Sequence, residues 1–183
     1  GGFLTTVGIF GSTNYDPIGA PKLYILSLFA FVGLGLYIMQ QGFEFKSPRK
    51  LKGYDLSLLL FIALLFINLA VNHQTFEERV FGVSSRNTGF LTFLSFSIFA
   101  FLASRTSSGT QTTFVLKAMF WASSVVSAYF IFQLAGLDIF VIDNYYGAPS
   151  STLGNPNFVS GFVGFSALVP LVLFFIEKKN LWL

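Results

Sequence analysis

Two stretches of this chain carry residue types that hold an anion. The first is Ser84-Ser-Arg-Asn-Thr-Gly-Phe, which leads into an apolar run. Arg86 stands at the mouth of that run, and a guanidinium offers a planar fork of donors that matches phosphate. Gly89, at the start of the run, permits close approach by backbone or ligand. The second is Ser150-Ser-Thr-Leu-Gly-Asn-Pro-Asn-Phe. Asn155 followed by Pro156 is the pattern of an N-cap with proline in the first helical position. Such a terminus presents backbone N–H groups and the positive end of the helix dipole, which favour an anion. An arginine at one helix mouth and a capped terminus at another would together hold a phosphate or pyrophosphate. The plainer readings are an arginine snorkelling to lipid headgroups and a cap that only ends a helix.

Other candidates are weaker. His73 is the single histidine and the chain has no cysteine, so a usual zinc site lacks its partners. His73 has no obvious nucleophile beside it. Asp138 and Asp143 could bind a metal or act as acid and base, but no spacing fixes them. Phe140, Tyr145 and Tyr146 read as interfacial anchors. Phe76, Val80 and Val83 fall at i, i+4 and i+7, with Glu77, Glu78 and Arg79 between them, which is the pattern of a short amphipathic helix lying in a membrane interface.

The elements that must position these residues follow from composition. The 183 residues are 54% hydrophobic and only 10% charged, with mean hydropathy +0.69. A soluble domain carries about 25% charged residues, and disorder needs low hydrophobicity with high net charge. Both classes are excluded. The net charge of +3 comes from bases clustered between apolar runs, not from a basic face, so nucleic acid is not an expected partner. Crossing a bilayer takes roughly 17–25 apolar helical residues. Five spans are predicted near 23–39, 56–71, 89–103, 113–134 and 158–176. The expected fold is all-α, a polytopic transmembrane helical bundle forming a single transmembrane domain over 1–183, with short amphipathic outer segments.

Lys46, Arg49, Lys50, Lys52, Arg105, Lys178 and Lys179 fall on one set of loops. That set is assigned to the cytoplasm, which puts the segments near 13–22, 72–88 and 136–157 outside. Ser104–Thr113 reads as a plain inner turn. Ser160 with Gly164, and Ser124 with Ala128, read as helix-packing notches, and Asn68 and Gln133 as bonding across helices. The short glycine-rich start, without an initiator Met, and the stop after a basic turn read as the cut ends of a longer protein.

Glu78-Arg-Val-Phe-Gly, then Ser85-Arg-Asn-Thr-Gly-Phe-Leu-Thr-Phe-Leu, then Ser151-Thr-Leu-Gly-Asn-Pro-Asn-Phe-Val-Ser-Gly-Phe, in that order, resemble the O-antigen ligase and O-antigen polymerase superfamily of bacterial membrane proteins. Tyr15-Asp-Pro before the first span is similar to that family's early outer turn. The Gly154–Phe158 phrase is the most specific part. The resemblance implies the N-terminal portion of a glycosyltransferase of the bacterial inner membrane. Such an enzyme moves glycan from an undecaprenyl-diphosphate carrier to an acceptor on the outer side. No cofactor, metal or nucleotide sugar is implied, and the partners are membrane lipid, the lipid-linked glycan and an acceptor. On this reading Arg86, Gly89, Asn155 and Asn157 are the substrate-binding candidates. The family's catalytic histidine lies in a later loop, which His73 does not match, so no catalytic residue is assigned. A transporter or flippase fragment for a lipid-linked or anionic substrate, and a non-enzymatic membrane scaffold, are the alternatives.

Overall fold

The computed structural model describes residues 19–41, 53–83, 86–106, 109–139 and 147–180. The Gly1–Ser12 start, the Tyr15-Asp-Pro turn, the basic cluster Lys46–Lys52, Ser84 with Ser85, and Phe140–Tyr146 with Asp143 lie outside these residues, as do the side chains of Lys178 and Lys179. Among the described residues 84% are helical and none forms a strand, so the all-α fold class holds. The chain divides into two compact units, with described residues 19–106 in the first and 109–180 in the second.

The first unit contains α1 (Gly19–Gln41), α2 (Gly53–Val71), the short α3 (Phe76–Phe81) and α4 (Phe90–Thr106). Helix α4 packs against the other three. It runs parallel to α1. The Ser95 hydroxyl donates to the Ser27 hydroxyl at 3.1 Å, and further along Tyr37 meets Phe101 edge-on at 5.5 Å. A Cβ on Gly33 would stand 3.1 Å from Leu102 Cδ1, so glycine lets these helices approach. Helix α4 runs antiparallel to α2, with Phe66 against Phe90 at one end and Asp55 bonded to Arg105 at the other.

The interior is small and partly polar, with Ser27, Thr92, Ser95 and Ser97 buried. The large apolar side chains point outward: on α2, Leu56, Leu60, Leu64, Ile67 and Val71 are all more than half exposed. Water would not tolerate such a surface, whereas lipid tails are as apolar as leucine.

The second unit contains α5 (Gly109–Leu134), a single 3-10 turn (Ser151–Leu153), α6 (Pro156–Ser166) and α7 (Leu168–Asn180). Helix α5 packs against the turn and both later helices. Ala122, Val126 and Tyr129 are buried on α5, Val159 on α6, and Val169 and Leu173 on α7.

Several expectations are corrected. The fifth span stands as Pro156–Ile176, but its hydrogen-bond ladder is interrupted at Ala167, whose backbone stays right-handed helical. Pro170 explains the break: it has no N–H for the Ser166 carbonyl, and its ring crowds that carbonyl. The turn expected over Ser104–Thr113 is shorter, because α4 continues to Thr106 and α5 already starts at Gly109. Ser160 and Gly164 are exposed, with nothing within 4 Å of a Cβ built on Gly164. Helix α6 buries Val159 and Ser166 instead, seven residues apart and on a different face. Ala128 is likewise exposed. Asn68 is exposed on α2 rather than bonded across helices.

Among the described residues four runs are long and apolar enough to cross a membrane: Gly19–Gln40, Gly53–Val71, Gly109–Leu134 and Pro156–Ile176, with Phe90–Arg105 a shorter apolar helix. The chain is a multi-pass membrane protein.

Candidate functional site

Arg86 sits between α3 and α4, and local sequence explains how it is held. Thr75 and Glu78 close a capping box at the start of α3: the Thr75 hydroxyl accepts from the Glu78 N–H, and the Glu78 carboxylate accepts from the Thr75 N–H. Gly82 ends the helix at φ +91°, a conformation natural only to glycine. Val83 therefore lies past the helix, and the expected Phe76–Val80–Val83 face stops short. Gly82 then meets Gly89 backbone to backbone. A Cβ on Gly82 would fall 2.4 Å from the Thr88 nitrogen, and one on Gly89 2.3 Å from the Gly82 nitrogen. The close approach that Gly89 permits is thus made by the chain's own backbone.

The Arg86 and Asn87 N–H groups both donate to the Val83 carbonyl at 3.1 Å. Asn87 adopts φ +49°, and its carbonyl accepts from the Thr92 hydroxyl in the first turn of α4. The Arg86 side chain is exposed. Its neighbour Arg79 is not free in the same way. Its Nη1 donates to the Leu69 carbonyl at 2.7 Å, capping the last turn of α2, and its guanidinium lies 6.0 Å from the Phe76 ring centre.

Asn155 and Asn157 belong to the second unit, and there they meet. Asn155 is extended, and its side-chain oxygen accepts from the Asn157 N–H at 2.9 Å. The Asn155 carbonyl accepts from the N–H groups of Phe158 and Val159, and Pro156 has no N–H. The expectation of open backbone donors at this terminus is therefore corrected, because Asn155 takes up the donors of the first turn itself. What remains for an anion is the helix dipole and the exposed Asn157 amide.

Two arrangements were not anticipated from the residues. At the end of α5, Gln133 does not bond across helices. Its side-chain oxygen accepts from the N–H groups of Ser150 (3.1 Å) and Ser151 (2.6 Å), and its nitrogen donates to Asp138 at 3.1 Å. The Tyr129 hydroxyl donates to the other Asp138 oxygen, and the Ser151 hydroxyl donates to the Val126 carbonyl at 2.7 Å. Asp138 thus accepts hydrogen bonds that fasten the segment following α5 to that helix. Ser151 is fully buried at φ +48°, a backbone strain that this network sustains.

In the first unit, Arg105 in the last turn of α4 pairs with Asp55 in the first turn of α2 at 2.7 Å. Each charge faces the helix end that favours it. The pair stands at one end of a cavity of about 240 Å³ between α1, α2 and α4. The sequence signal was an acid and a base at the termini of two consecutive long helices.

His73 is exposed in the turn between α2 and α3. No family model, no curated protein and no solved structure matches the chain.

Proposed function

We propose that this chain is part of an O-antigen ligase-like glycosyltransferase of a bacterial inner membrane. It would act on the outer side, taking glycan from an undecaprenyl-diphosphate carrier. The observation that carries this reading is the exposed guanidinium of Arg86 on a turn pinned by the Gly82–Gly89 crossing. A diphosphate leaving group gains negative charge as the glycosidic bond breaks. A cation at a low-dielectric surface stabilises that charge, and the pinned turn fixes where the Arg86 side chain starts. Gly89 shapes the mouth of α4 beside Arg86.

The test is transfer from the lipid-linked glycan in membranes carrying the protein. Arg86→Ala should lower transfer about 10²-fold, the usual effect of removing one such donor. Arg86→Lys should restore only part of it, since an ammonium lacks the bidentate fork. Equal activity of the parent and both variants would remove Arg86 from the site.

A further inference from the structure

The cavity in the first unit is a slot with a chemical direction. Along α2 its wall runs from Asp55 through Leu58 to Ile62, and along α4 from Arg105 through Phe101 to Ser97. Seven helical residues span roughly 10 Å, so the slot is elongated along the helices. One end is the Asp55–Arg105 pair, and the rest of the wall is almost wholly aliphatic or aromatic. It opens beside Leu59, which lines it and is 52% exposed. In a multi-pass protein that opening faces hydrocarbon.

The charged end is not symmetric. Asp55 has the more enclosed side chain, 6% exposed against 15% for Arg105. Arg105 has five N–H donors, of which one is engaged with Asp55 at 2.7 Å. Its guanidinium is held over the rings of Phe101 (5.2 Å) and Tyr54 (5.9 Å), which fixes its plane. The chain just before α2 carries Lys46, Arg49, Lys50 and Lys52, and a basic cluster beside a membrane helix attracts anionic lipid.

We propose that this slot seats one acyl chain of an anionic phospholipid, with the lipid phosphate on Arg105. An amphiphile with an anionic head matches the polarity of the slot, and the slot's length takes the head-proximal half of one acyl chain while the rest stays in the bilayer. The site is at the opposite end of α4 from Arg86 and does not rest on the glycosyltransferase reading.

The test uses the full chain carrying Leu59→Trp, an exposed position where an indole stands at the opening. The chain is reconstituted with phosphatidylglycerol or phosphatidylcholine bearing brominated acyl chains. Quenching is taken as the difference from the parent, whose tryptophans are Trp121 and Trp182. Brominated phosphatidylglycerol should compete for the opening about fivefold better than brominated phosphatidylcholine, the factor that one basic contact gives. Asp55→Asn with Arg105→Gln, which keeps the pair hydrogen-bonded but neutral, should abolish that preference while both lipids still quench. Ile98→Phe, which fills the slot, should also abolish it. Equal quenching by the two lipids without these changes would overturn the proposal as a matter of boundary lipid or a dry void. A preference that survives neutralisation of the pair would overturn the placement of the phosphate.

Discussion

At Gly82 and Gly89 two backbones occupy the space that side chains would need, and Arg86 stands on the turn so formed. A methyl group at Gly89 would lie 2.3 Å from the Gly82 nitrogen. Gly89→Ala should therefore destabilise the first unit by about 1–3 kcal/mol, the range for overpacking. Thermal unfolding in detergent should show a clear fall in melting temperature. Arg86→Ala, at an exposed side chain, should stay within about 0.5 kcal/mol of the parent. If Gly89→Ala melts with the parent, the crossing does not hold the turn. The glycine's permissiveness was legible in the sequence, but which group comes close to it was not. Asn155 shows the same division. Asn-Pro announced a cap, and the cap is there, yet only the geometry shows that its oxygens take up the donors an anion would have used.

At the scale of elements, apolar runs announced the long helices because a bilayer-facing helix is apolar almost all round. The short helix α3 was anticipated from its apolar face alone; the capping box that starts it, Thr75 with Glu78, came from the structure. The break in the last span hinged on one residue, Pro170, within an otherwise uniform run. Pro170→Ala supplies an N–H for the Ser166 carbonyl and removes the ring clash, so α6 and α7 should fuse into one helix. Hydrogen exchange should then slow at the amides of residues 168 and 169. Unchanged exchange there would mean that tertiary packing, and not the proline, breaks the helix.

Across the first unit as a whole, the Asp55–Arg105 pair ties the end of α4 to the start of α2. Removing one partner of a buried pair costs about 3–5 kcal/mol because the other charge is stranded. Arg105→Ala should be destabilising on that scale, and Arg105→Ala with Asp55→Ala distinctly less so. The double-mutant cycle should report a favourable coupling, and additive effects would show the contact to be incidental. The orientation proposed from the loop charges is tested without background, because the chain has no cysteine. Val83→Cys should react with a membrane-impermeant maleimide added outside intact cells, and Gly53→Cys only after the membrane is opened. The reverse pattern would invert the assignment and remove Arg86 from the outer face.

Residue types alone established the membrane class, the all-α fold and the approximate spans, since low charge and long apolar runs leave a chain no other way to satisfy its backbone. They also marked Arg86 and Asn155 as unusual. Tertiary structure decided which polar groups are spent internally: the N–H groups at the start of α6, the carboxylates of Asp138 and Asp55, and the Nη1 of Arg79. It also decided which helix faces are buried, against the small-residue pattern on α6, and it shaped the slot beside Arg105. The physical reason is that hydrophobicity acts through each residue by itself and can be summed along a chain. A hydrogen bond or a cavity exists only between groups that the fold brings within a few ångströms of each other.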